Sequence, residues 1–129
     1  MAAQNSIKTS SYANEKQILI APELAFTIGC QVTNTGLTAN DEGKKILKAG
    51  TPVGGGDVLT ARNTVLSQDT TAPVGVILND VDVTGGQMNA TLVVSGVVDI
   101  LKLDSDVQTL VTTATSKLTK ITFMKGIKD

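Results

Sequence analysis

Along this chain apolar and polar residues alternate in short bursts, and glycine interrupts most of them. ILIAPELAFTIG holds two apolar runs split by Pro22, which must sit at an edge or a turn because proline cannot donate to a strand ladder. CQVTNTG extends the second run as a strand that ends at an Asn34–Gly36 turn. In NDEGKKILKAGTPVGGGDVLT the glycines mark turns or bulges, and KKILKA and DVLTA read as short strands between them. Residues 61–72 are polar and read as loop. Pro73 introduces the apolar run VGVIL. In NDVDV, Val81 and Val83 alternate with Asp80 and Asp82, so the aspartates face solvent and the valines the core. Gly85-Gly86 then reads as a tight hairpin turn into ATLVVSGVVDIL, where Gly96 marks a bulge or a close approach.

A period of 3.6 appears once. Val107, Leu110, Val111, Ala114 and Leu118 form one apolar stripe. Ser105 and Gln108 read as an S-x-x-Q capping box, with Asp104 and Asp106 where the helix dipole favours negative charge. Thr112, Thr113 and Thr115 lower the intrinsic propensity, so packing of the stripe must hold the helix. KITFM alternates again as a last strand. About seven short strands and one helix predict a mainly β chain, a compact β-barrel or sandwich with one short helix closing an end.

The first 17 residues differ in composition. They are rich in Ser, Thr, Asn and Lys, and Ile7 and Tyr12 are their large apolar side chains. Such a segment buries too little surface to offset its ordering entropy. It reads as an extended or flexible N-terminal arm over 1–17, with one β-rich domain over 18–129. Tyr12 has two readings: an aromatic anchor for a partner, or a side chain folded back on its own domain.

Composition narrows the chemistry. The 129 residues suffice for one core, and with aromatics at 2% that core must be aliphatic. The net charge of -1 and the scattered lysines argue against a nucleic-acid binder. Histidine is absent, which removes the commonest neutral-pH base and zinc ligand. The single cysteine, Cys30, lies in the apolar run FTIGCQV and reads as buried packing; no intrachain disulfide can form. The start MAAQNSIKTSS has neither the basic nor the apolar region of a secretory signal, and no apolar run approaches the ~20 residues of a membrane span.

Three motifs fail on inspection. TPVGGGDVL lacks the Lys-Ser/Thr ending of a phosphate loop, and Leu59 stands where a dinucleotide fingerprint needs glycine. Asp80, Asp82 and Gly85 start a calcium-loop pattern, but Thr84 and Thr91 occupy two ligand positions. Asp104 with Asp106 suits helix capping better than carboxylate chemistry. Neither a catalytic nor a metal site is expected, and no cofactor.

The series KKILKAGTPVGG, APVGVILNDVDVTGG, ATLVVSGVVDILKL and KLTKITFM, over roughly residues 44–125, resembles the head-decoration (capsid cement or head-fiber-like) proteins of tailed bacteriophages. The resemblance implies a β-tulip-like fold and a structural virion protein with no enzymatic activity. Such a protein binds the outer surface of the expanded capsid, commonly as a homotrimer, and bridges major capsid protein subunits. It implies synthesis in the bacterial host cytoplasm and a place on the virion, with neither nucleic acid nor membrane as partner. On this reading Ile7, Tyr12, Ile18 and Ile20 are the candidate capsid-binding anchors. Two other classes stay open: a head-fiber base or carbohydrate-binding β-domain on the host surface, and an enzyme using carboxylates alone through Asp80, Asp82 and Asp99.

Overall fold

The computed structural model describes residues 17–125. Its centre is one long strand, β8 (Met88–Asp99), which carries β-branched residues through most of its length. β8 pairs antiparallel with β2 (Phe26–Val32) and with β6 (Pro73–Ile77). From β2 the sheet continues through β5 (Val65–Gln68) and β4 (Pro52–Gly54) to β6. The β6–β8 ladder therefore closes a five-stranded barrel, in which only the β2–β5 pair is parallel. Closure removes sheet edges and their unpaired backbone groups.

Four shorter strands surround it. β1 (Leu19–Ile20) pairs antiparallel and β9 (Ile121–Met124) parallel with the last third of β8. β3 (Ile46–Leu47) pairs with β7 (Val81–Asp82) as a separate ribbon. The fold is mainly β, a closed barrel with extra strands and one helix, α1 (Ser105–Ala114), as the hydrophobic patterning predicts.

Two aliphatic cores result. One fills the barrel with Val32, Leu47, Val53, Leu66, Ile77 and Leu92, all wholly buried. The other lies between α1 and the barrel wall. Val107, Val111 and Ala114 of the helix stripe meet Val76 and Val93 of the wall, with Ile18, Val98, Leu118 and Ile121 around them. Gly96 has φ +145, and a Cβ there would lie 3.0 Å from the Ala25 Cβ, so it is the predicted point of close approach.

Several local expectations change. DVLTA is a turn, not a strand. Asp57 accepts the Leu59 N–H on its carboxylate and the Ala61 N–H on its carbonyl, and this local bonding wins over β propensity. Conversely, the polar 61–72 stretch contains β5. Its inward Leu66 is fully buried, and its backbone bridges β2 and β4. The Gly85-Gly86 turn forms, with the Gly86 N–H on the Val83 carbonyl, but β7 pairs with β3 rather than with β8. The Thr84 hydroxyl accepts the Lys45 N–H and fixes that choice. The capping box is absent as well. Asp104, not Ser105, is the N-cap residue, and the Gln108 side chain donates to the Leu103 carbonyl at 2.9 Å.

Candidate contact surface

Of the four anchors, Ile7 and Tyr12 lie outside the described residues. Ile18 is wholly buried among the helix-side core, and its carbonyl accepts the Asp99 N–H at 2.8 Å. It has no exposed surface to offer a partner, which corrects its assignment as a contact residue. Ile20 is half-buried opposite Val97 at the end of β1.

Past Ile20 the chain leaves β8 and returns to it only at Phe26, opposite Ser95. Ala21 makes this excursion in a left-handed conformation, φ 56 and ψ 62, which costs an alanine on the order of 1 kcal/mol. Pro22 then starts a single 3-10 turn, Pro22–Leu24, for which its ring presets φ. Ala25 packs down on Gly96, so the turn stands out as a knuckle. Leu24 at its tip is 75% exposed and Phe26 beside it 53%. Sequence patterning missed this: the same residues read as two apolar runs split by Pro22, the second continuing as a strand. The one legible signal was Pro22, which ruled out a continuous strand.

Two clefts lie near α1, one against the helix and one beside the segment that follows it. One, of about 400 Å³, lies between the 36–48 segment and the helix and is lined by Asn40, Lys44, Lys48, Gln68 and Asp106. The Lys48 ammonium sits 3.0 Å from Asp106 and 3.4 Å from Asp104. Its hydrogen bond to Asp106, more than the neighbouring charge of Asp104, raises the lysine pKa. The second, of about 290 Å³, opens at the seam between the two cores. Its apolar lining includes Val58, Leu59, Val94 and Leu118, and Lys117 and Lys120 stand among them.

The acids that suggested chemistry have separate backbone tasks. Asp80 accepts the Ala49 N–H at 2.7 Å. Asp82 accepts the hydroxyl and the N–H of Thr84, and these bonds hold its carboxyl below the usual range. Asp99 accepts the Leu101 N–H and caps a short 3-10 turn. Among the described residues no three His, Cys, Asp or Glu side chains are grouped to hold a metal ion. Cys30 is buried, as its sequence context predicts, and burial pushes its thiol pKa up against the pull of Arg62. No described helix is long and apolar enough to cross a membrane. The chain matches no protein-family model, no curated protein and no solved structure.

Proposed function

We propose that this chain is a structural binding protein that attaches to the outside of a larger protein shell, the expanded head of a tailed phage, and bridges its major capsid subunits as a homotrimer. The observation that supports this reading is the arrangement around the start of β8's outer partners. β1 and the buried Ile18 lie at the start of the described residues, and the apolar knuckle bearing Leu24 and Phe26 follows within eight residues. An arm that orders on a partner adds contact area across a subunit boundary at an entropic cost. Exposed Leu and Phe beside it supply apolar area that water solvates poorly. Several copies in one oligomer make such contacts multivalent, so modest single contacts sum to durable attachment.

Co-sedimentation with expanded empty capsids of the cognate phage tests this. The full chain is expected to bind saturably, and a chain lacking residues 1–16 to bind at least about tenfold more weakly. No binding of the full chain overturns the reading. Unchanged binding after truncation removes the arm from the mechanism.

A further inference from the structure

We propose that the Leu24 knuckle of one copy seats in the cleft at the seam between the two cores of a second copy, with Glu23 facing Lys117 and Lys120. This deepens the homo-oligomer part of the reading above and rests on it; attachment to a capsid is a separate measurement.

The two surfaces are complementary in shape and sign. The knuckle is a short protruding turn with one acid, Glu23, next to the exposed Leu24. The cleft is concave, about 290 Å³, with Val58, Pro73 and Leu118 in its lining and the exposed Leu59 at its rim. Every charged side chain between residues 107 and 125 is a lysine, and two of the three, Lys117 and Lys120, line this cleft. The Lys117 ammonium reaches the Thr71 carbonyl only at 3.4 Å. Asp57, the one acid in the lining, is engaged with the Leu59 N–H at 3.1 Å. An exposed aliphatic side chain seated in an apolar hole takes its area out of water, and Glu23 opposite the two lysines fixes its orientation.

Knuckle and cleft are different parts of one chain, so every copy both gives and receives. Such contacts close as a reciprocal pair or as a ring. The knuckle's protrusion has a local cause in the left-handed Ala21 and in Gly96, which draws Ala25 down and leaves Leu24 outside.

Light scattering on a size-exclusion column, over a dilution series of the full chain, tests the contact. The unaltered protein is expected to be a discrete oligomer. Leu24→Asp, and separately Lys117→Glu with Lys120→Glu, are expected to raise the concentration of half-dissociation at least about tenfold. All three side chains are exposed, and unchanged circular dichroism checks the fold. Adding Glu23→Lys to the double lysine variant restores opposite charges and is expected to recover most of the lost association. A monomeric unaltered chain, an oligomer indifferent to Leu24→Asp, or a triple variant no better than the double each overturns the proposal. If the unaltered chain still co-sediments with capsids in those cases, attachment stands and only this contact falls.

Discussion

The barrel interior and the layer beneath α1 are both buried and aliphatic, yet they draw on different parts of the chain. The interior takes its side chains from residues between Cys30 and Val94. The outer layer takes Ile18, Leu19 and Ala49, then Val98, Leu103 and the buried apolar residues from Val107 to Ile121, and borrows Val76 and Val93 from the wall. The interior exists only once β2, β4, β5, β6 and β8 have all paired, through contacts distant in sequence. The layer is an amphipathic helix and two short strands laid on a wall already made. The first is therefore the cooperative unit, and the second is the part that can loosen by itself. The seam between them is where the second cleft opens.

The largest effect is expected inside the barrel. Leu92→Ala removes a wholly buried side chain and is expected to cost about 3–5 kcal/mol in denaturant unfolding. Gly75→Ala attacks the same ring without making a cavity. A Cβ at Gly75 would press on the backbone carbonyl of Val93 across the β6–β8 closure, and a loss of about 2–3 kcal/mol follows. Val111→Ala in the outer layer is expected to cost less, about 1–2 kcal/mol. Hydrogen exchange separates the cases: Val111→Ala should speed exchange in α1 and leave the amides of β2, β6 and β8 protected. Equal loss of protection in both regions would show one undivided core and break the comparison.

Legibility in the sequence divides along the same line. The outer layer's helix was readable because its stripe repeats at 3.6 over five apolar positions, and its burial confirms Val107, Val111, Ala114 and Leu118. Strands β2, β6 and β8 were readable from apolar runs bounded by glycine or proline, and β9 from the alternation in KITFM. The barrel's closure was not. β5 has one inward leucine and otherwise polar or exposed residues, and a strand that short has no periodicity to detect. β7 carries a clean alternation, but alternation names a face and says nothing of the partner; the Lys45–Thr84 hydrogen bond chooses β3. The knuckle escaped because a left-handed alanine has no compositional signature, whereas the left-handed glycines do. Of the two anchors within the described residues, Ile18 went into the core, since hydrophobicity does not distinguish a buried side chain from an exposed contact.

Smaller effects sharpen how the ribbon β3–β7 and the helix are tied to the barrel. Asp80→Ala strands the N–H of Ala49, a residue of the outer layer, and is expected to cost about 1 kcal/mol with the barrel amides unaffected.

The smallest effect concerns Lys48, which ties the segment after β3 to the first turn of α1. Its ammonium touches Asp106 and Asp104, and its side chain is 37% exposed, so solvent screens the pair and its contribution stays below about 1 kcal/mol. The sign of its pH dependence is fixed by the raised lysine pKa. The folded chain holds the Lys48 proton more tightly than the unfolded chain does. The contribution is therefore complete below lysine's ordinary 10.5 and is lost as pH rises through the higher folded value. Lys48→Met removes it at every pH, so the variant should be slightly less stable than the unaltered chain at neutral pH, with the gap closing in the alkaline range. A gap that widens with alkalinity would contradict the ion pair. If the outer layer loosens independently, the helix amides should register this change while those of β8 do not; if β8 responds equally, the tie acts on the barrel and the two regions are one.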